Sequence, residues 1–216
     1  MTVLTPEILL QAYSVGHFPM AESRHGSYLY WIDPEFRGVI PLDHPHIPHK
    51  LRRTLRQARF DVTCDRAFEE VIERCAEATA RRPDTWINDE ILTLYKRLFK
   101  LGHAHSVECW RDGVLAGGLY GVSIHAAFFG ESMFSRETDA SKVALVHLMA
   151  RLRKGGYRLL DSQFVTDHLK QFGAVEIPRK SYKVRLQDAL SYDAEFYSEL
   201  SDDEISAFLQ SSTQIS

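Results

Sequence analysis

Hydrophobic positions along this chain follow the helical period in some stretches and the strand period in others, and the order of those stretches outlines a fold. Thr5-Pro6-Glu7 reads as an N-cap with proline at the first helical position, and Gly16 closes that helix after about three turns. From Phe18 to Pro48 prolines and glycines break every periodicity except short extended pieces near Tyr28 to Trp31 and Gly38 to Ile40. Pro48 then starts a basic helix that runs to about Gln57.

From Phe60 the texture changes to alternating strands and helices. Phe60 to Cys64 reads as a strand, and Asp65 as the cap of a helix whose apolar residues Phe68, Val71, Ile72 and Cys75 keep helical spacing. Asn88 caps a second helix, with a buried stripe of Leu92, Tyr95, Leu98 and Phe99, that ends at Gly102. His105 to Trp110 and Val114 to Ser123 flank Asp112-Gly113, a hairpin signal because both central residues of a type I′ turn need positive φ. Ala126 to Phe134 continues the meander.

Asp139 then caps a long helix to Lys154, with Leu145, Leu148, Met149 and Leu152 inward and Gly155-Gly156 as its stop. Tyr157 to Gln163 is a strand, Thr166 with Asp167 caps a short helix ended by Gly173, and Ala174 to Ile177 is a last strand. Antiparallel strands feeding one crossover make an α+β order, which the N-acetyltransferase-like (GNAT) fold shares. The expected division is a small N-terminal α/β domain over residues 1–59, a catalytic domain over 60–190 and an acidic C-terminal tail over 191–216. From Ala194 that tail reads as a solvated acidic helix.

Composition narrows the class. With 216 residues, 44% of them hydrophobic and 25% charged, the chain can bury a core and falls outside the disordered and fibrous classes. Its cysteines, Cys64, Cys75 and Cys109, have no C-x-x-C spacing, so reduced, packed thiols are expected rather than a disulfide framework or a zinc site. No run approaches the roughly 20 apolar residues of a membrane span, and the N-terminus lacks a basic segment followed by an apolar one, so a cytoplasmic location is expected. The formal charge of −3 conceals segregation. Between His44 and Phe60 lie Lys50, Arg52, Arg53, Arg56 and Arg59 and no acid, whereas from Ser191 onward there are acids and no Lys or Arg. One end could meet a polyanion.

Candidate chemistry concentrates in two strands. In Phe128-Phe129-Gly130-Glu131-Ser132-Met133-Phe134-Ser135 a carboxylate sits inside an aromatic strand, where it must be paired, hydrogen-bonded or protonated. A salt bridge to Arg136 or Lys142 and a functional role fit that pattern equally. In Leu159-Leu160-Asp161-Ser162-Gln163-Phe164, period two puts Asp161 and Gln163 on one face, and spacing alone favours a turn cap over catalysis. Trp31 and Trp86 lie in or beside loops, Trp86 just after Arg81-Arg82-Pro83; such rings can stack on unpaired bases or be ordinary half-buried tryptophans. A basic helix such as Lys50 to Arg56 is most often just a solvated face. The connection Ser135 to Lys142 has no glycine and two acids, which disfavours the pyrophosphate of coenzyme A.

With GESMFSR, ASK, LLDSQ, DHL and FGAVEIPR in this order, preceded by LTPEILLQAYSVGHFP, YWIDPEFRGV, TWI, LYKRLFKLGHAHSVECW and GGLYGVS, the sequence resembles the leucyl/phenylalanyl-tRNA-protein transferases over most of its first 182 residues. The resemblance implies an acetyltransferase-like domain that works without coenzyme, metal or ATP on an already activated aminoacyl ester. It implies catalytic roles for Glu131, Asp161 and Gln163. A donor side-chain pocket would be made by Leu119, Met133, Leu145, Leu148, Leu152 and Leu160. Trp86 would meet the terminal adenosine, with Trp31, Met20 and Phe128 as further candidates, and Arg52, Arg53 and Arg56 would meet the tRNA body. Met20 stands where relatives often carry tryptophan, and Thr166 where they often carry asparagine.

The implied partners are leucyl-, phenylalanyl- and methionyl-tRNA and acceptor proteins beginning with Lys or Arg, which the transfer marks for N-end rule degradation. The implied chemistry is aminolysis: Asp161 polarises Gln163 and helps relay a proton, Gln163 positions the amine, and Glu131 holds it or a cationic side chain beside it. Two rival readings are an acyl-CoA N-acetyltransferase and a non-catalytic tRNA-binding module.

Overall fold

The computed structural model describes residues 4–26, 28–79, 83–196 and 199–212 of the chain. Helix α1 (Pro6–Ser14) begins where Thr5 Oγ1 accepts the Ile8 N–H and ends before Gly16, whose φ of 91° only glycine adopts without strain. Strands β1 (Phe18–Ala21) and β2 (Leu29–Ile32) pair antiparallel as a separate ribbon. Then come β3 (Phe36–Ile40), α2 (His49–Arg56), β4 (Asp61–Cys64), α3 (Phe68–Ala76), α4 (Asp89–Lys100), β5 (Ala104–Arg111), β6 (Val114–Ile124) and β7 (Ala127–Ser135). The remainder is α5 (Ala140–Lys154), β8 (Leu159–Gln163), α6 (Asp167–Lys170), β9 (Val175–Pro178), α7 (Arg179–Leu190) and α8 (Asp202–Ser211).

The main sheet has seven strands in the order β4-β5-β6-β7-β8-β3-β9. Only β7 and β8 pair in parallel, with α5 as the crossover between them; the rest is antiparallel, a mixed α+β architecture. Asp112 and Gly113, with φ of 52° and 76°, make the β5–β6 turn as their sequence requires. Helices cover both faces. On one, α2, α5 and α8 bury Leu51, Leu148 and Phe208 around Phe128; on the other, α1, α3, α4 and α7 bury Leu9, Ile72, Leu98 and Leu186 around Phe129. Adjacent residues of β7 thus serve opposite cores, as period two dictates.

Several expectations need correction. The boundary near residue 59 falls inside this sheet, because β3 lies between β8 and β9. Asp65 does not cap α3: it adopts φ 58°, and its carboxylate takes the Ser106 N–H at 2.8 Å and His105 Nδ1 at 2.8 Å, tying the end of β4 to β5. Asp139 stands at the start of α5 but makes no side-chain cap; it pairs instead with Lys142 at 3.0 Å. The α4 stripe is set by Ile91, Leu94, Tyr95 and Leu98, with Leu92 and Phe99 at its margins. Helix α7 and strand β1 are additions to the expected elements: α7 buries Tyr182, Leu186 and Ala189 at helical i, i+4, i+7 spacing, and β1 is four residues long.

The tail is the largest revision. Ser201 and Glu204 form a capping box, and the acids Asp202, Asp203 and Glu204 sit in the first turn of α8, where the helix dipole favours them. Yet Phe208 and Leu209 are buried against the α5 face of the sheet, so this helix is docked rather than solvated. Its last turn is held by Arg52, whose guanidinium donates to the carbonyls of Leu209 and, at 3.0 Å, Ser212. Arg52 is therefore buried, while Arg53 and Arg56 stay exposed on α2. Among the described residues no helix is long and apolar enough to cross a membrane.

Arg52→Ala should strip these carbonyls of their donor and destabilise the protein by about 1 to 3 kcal/mol, whereas Arg53→Ala should stay within roughly 0.5 kcal/mol of wild type. Urea midpoints of the two variants check this; equal midpoints would return Arg52 to the solvated face of the helix.

Candidate active site

Three consecutive parallel pairs join β7 to β8: Ala127 with Leu159, Phe128 with Leu160 and Phe129 with Asp161. Beyond them pairing stops, although β7 runs on to Ser135. A cavity of about 490 Å³ fills the opening, with Gly130 to Ser135 on one wall and Leu160 to Phe164 on the other. Two local irregularities aim side chains into it. In the β6–β7 ladder Tyr120 faces Ser132 and Gly121 faces Gly130, so Glu131 is the extra residue of a β-bulge. At the end of β8, Gln163 turns into the left-handed region with φ 58°, which redirects the chain.

Glu131 is buried against three donors. Its Oε1 accepts the Tyr13 hydroxyl at 2.7 Å and the Gln163 amide Nε2 at 3.2 Å, and its Oε2 accepts the Tyr95 hydroxyl at 3.1 Å. The Tyr13 and Tyr95 hydroxyls also meet each other, and since two hydroxyl protons cannot fill three hydrogen bonds, the neutral Glu131 carboxyl supplies the third. Burial pushes the Glu131 carboxyl up to about 7, against the lowering effect of the two tyrosines. The bridges to Arg136 or Lys142 do not form: Arg136 turns to Glu77 and Lys142 to Asp139. Hydrogen bonding is the option the fold takes.

Asp161 is fully buried, and its oxygens are spoken for. Arg37 donates from Nε at 3.0 Å and from Nη2 at 2.7 Å, Tyr182 from its hydroxyl at 2.6 Å, and the Gln163 backbone N–H at 2.8 Å. Arg37 is itself buried, its guanidinium 4.5 Å from the ring centroids of both Phe18 and Tyr182 and donating to the Gly16 carbonyl at 2.8 Å. A buried charge that keeps its charge needs such a partner. Asp161 thus grips the backbone, not the side chain, of Gln163, and the expected polarisation of the Gln163 amide by Asp161 has no contact to carry it. Gln163 instead donates to Glu131, and among the described residues its side-chain oxygen has no protein donor.

The expected apolar pocket is largely assembled. Leu119, Met133, Leu145, Leu148 and Leu160 line the cavity, joined by Ile40. Leu152 does not, because it is packed in the core one turn farther along α5. Met20 and Trp86 line the cavity, with Ala21 N–H to Trp86 O at 3.3 Å joining the ribbon to the Trp86 loop. Phe128 points to the opposite face, against Tyr157 and Phe196. Trp31 lies across the ribbon from Pro19, 41% exposed and outside the cavity wall. Arg81 and Arg82 fall outside the described residues. Tyr13, Arg37, Tyr95 and Tyr182 were missed; the one signal available was an arginine set inside the extended segment Phe36-Arg37-Gly38-Val39-Ile40.

An apolar chamber that ends on a buried carboxyl held near 7 and an adjoining amide can seat an apolar group beside a proton acceptor. Comparison with known proteins gives the class. The profile described as leucyl/phenylalanyl-tRNA protein transferase matches residues 39–187, and the one for the N-terminal domain of the same proteins matches residues 3–35. A leucyl/phenylalanyl-tRNA–protein transferase of Paramagnetospirillum magneticum is 64% identical over 91% of this chain and 94% of its own. Proteins of the same name from Rhizorhabdus wittichii and Rhodopseudomonas palustris are 57% identical over 88% of this chain and 77% of theirs, and 58% identical over 89% and 86%. The chain belongs to the leucyl/phenylalanyl-tRNA protein transferase family, enzymes that transfer leucine or phenylalanine from tRNA to protein.

The raised Glu131 carboxyl has a consequence for stability. A carboxyl whose folded pKa, about 7, lies above its ordinary 4.5 stays neutral in the fold while the unfolded chain ionises, so stability falls as pH rises from 4.5 toward 7. Relative to Glu131→Gln, wild type should therefore lose on the order of 2 kcal/mol between pH 5 and pH 7.5. Urea denaturation of both proteins at the two pH values checks it; a constant difference would place Glu131 in a solvated setting.

Proposed function

We propose that this enzyme moves leucine, phenylalanine and methionine from aminoacyl-tRNA onto the free N-terminus of proteins beginning with Lys or Arg, thereby marking them for N-end rule degradation. The observation that carries this reading is the junction of an aliphatic chamber with the Glu131–Gln163 pair, since it separates the two selections the reaction needs. Leu119, Met133, Leu145, Leu148 and Leu160 would take an unbranched or γ-branched donor side chain. Because an apolar pocket distinguishes such side chains by only about 1 to 3 kcal/mol, three donors are expected to pass. Trp86 and Met20 would lie against the terminal adenosine, and the exposed Arg53 and Arg56 against the tRNA body.

In this reading Glu131 accepts a proton from the acceptor's ammonium, a task suited to a carboxyl titrating near 7 beside an amine of pKa about 8. The Gln163 side-chain oxygen accepts an N–H of the resulting amine and orients its lone pair. The new C–N bond forms at the ester carbonyl and the ester C–O bond breaks; of the two protons the ammonium sheds on becoming an amide, one goes to the departing ribose oxygen and the other, by way of Glu131, to solvent. Ionised Glu131 also favours a cationic first residue. Asp161 acts through Gln163 and is a positioning residue. The catalytic sheet is read as acetyltransferase-like (GNAT), and Ser135 Oγ already takes the Ser141 N–H at the start of α5 at 3.2 Å, where an acyl-coenzyme donor would place phosphate.

The test is transfer of labelled amino acid from leucyl-, phenylalanyl- and methionyl-tRNA to peptides that begin with Arg, with Glu, or with acetylated Arg. Product is expected from all three donors on the free Arg peptide, none on the acetylated one, and Glu131→Gln should lower kcat/KM by roughly 100-fold. Equal rates on the Arg and Glu peptides would refute the assigned acceptor preference, and undiminished Glu131→Gln turnover the assigned base.

A further inference from the structure

Phe164 is the residue after Gln163, and it is treated unlike any other aromatic near the cavity. It lines the opening yet leaves 45% of its surface to solvent. An apolar ring in that position gains little from folding, but its backbone is fixed with unusual care. The left-handed turn at Gln163, φ 58°, throws Phe164 outward, and Asp161 Oδ1 secures that turn through the Gln163 N–H at 2.8 Å. The Phe164 N–H donates to the Ser162 carbonyl at 2.6 Å. Beneath it β3 must carry glycine, because a Cβ on Gly38 would come within 2.7 Å of the Phe164 carbonyl carbon. Edge contact with Phe18, at 5.8 Å between centroids and 81° between planes, sets one side of the ring.

Phe18 and Met20 stand two residues apart on β1, and both line the cavity; Trp86 is tied to the end of the same strand. Phe164, Phe18, Met20 and Trp86 therefore all line the cavity, Phe164 exposed, Met20 and Trp86 half-buried and Phe18 buried. Aromatic faces take a flat uncharged ring, or a cation as Phe18 takes the Arg37 guanidinium; the cation of an acceptor has the Glu131 carboxyl as its partner, which leaves the free face of Phe164 to a flat ring. A tRNA donor offers such a ring, the unpaired base on the ribose that bears the ester.

We propose that Phe164 is a stacking platform for the 3′-terminal base of the aminoacyl-tRNA donor, a positioning residue that supplies the aromatic face which Met20 lacks. This rests on the donor reading above and deepens it. It also couples donor and acceptor: the turn that aims Gln163 at the amine is the turn that presents the ring to the base.

The test uses the full chain as wild type, Phe164→Ala, Phe164→Leu and Phe164→Trp, with leucyl-adenosine and leucyl-tRNA as donors and an Arg-starting peptide as acceptor. The KM for leucyl-adenosine should rise roughly 5-fold or more in the Ala and Leu variants and return toward wild type in the Trp variant. The acceptor KM should not move. An unchanged donor KM in both Ala and Leu variants, or a rise in the acceptor KM in its place, overturns the proposal, and the active Trp variant excludes misfolding as the cause of a loss. Wild-type transfer from leucyl-tRNA separates the two readings. Its absence overturns the donor reading and this one together, whereas its presence with unchanged donor KM overturns the platform alone.

Discussion

The ion pair between Arg37 and Asp161 is the constraint on which the site depends. Both groups are buried, and each is satisfied in full view of the other's element: Arg37 reaches from β3 and Asp161 from β8, while Tyr182 closes the arrangement from α7. Removing either partner would leave a charge in the core at a cost of about 3 to 5 kcal/mol. What the pair secures is geometric. It fixes Asp161 so that one oxygen can hold the Gln163 N–H, and Gln163 can then occupy a left-handed conformation that costs about 1 to 3 kcal/mol elsewhere. The Gln163 amide is displayed toward the cavity because a carboxylate behind it is anchored.

A second device on the neighbouring strand completes the site. The bulge in β7 turns Glu131 toward the two tyrosines of α1 and α4, so the carboxyl that borders the cavity is held by helices from the other layer. Glu131 and Asp161 thus have opposite environments. One is hydrogen-bonded by neutral donors and titrates near 7; the other is locked to a guanidinium. Two carboxylates in one site with different settings are suited to different tasks, one to exchange protons and one to hold a backbone.

Much of this fold was legible because its elements obey strong local rules. Thr5-Pro6, Asp112-Gly113, Thr166 and the glycines at 16, 102, 156 and 173 each mark an end that the backbone honours. The apolar faces of α3 and α5 were equally plain. What escaped notice was tertiary in origin. The presence of β3 in the main sheet depends on pairing with strands more than a hundred residues away, and no local period reports that. Arg52 looked like a solvated cation because its acceptors are carbonyls of α8, 157 residues along the chain in the nearer case. Leu152 and Phe128 were drawn into the site by resemblance, yet helical phase and strand alternation turn them into the core. Glu131, Gln163 and five of the six residues expected for the donor pocket line the cavity.

The most direct measurement is a double-mutant cycle on leucine transfer, with Arg37→Met, Asp161→Leu and the double variant compared by kcat/KM alongside their urea midpoints. If the buried pair acts as one anchor for Gln163, each single variant should lose most of the activity and the double variant should be no worse than either, with part of the lost stability recovered. Independent losses that multiply in the double variant, or a single Arg37→Met protein with wild-type kcat/KM, would contradict the account.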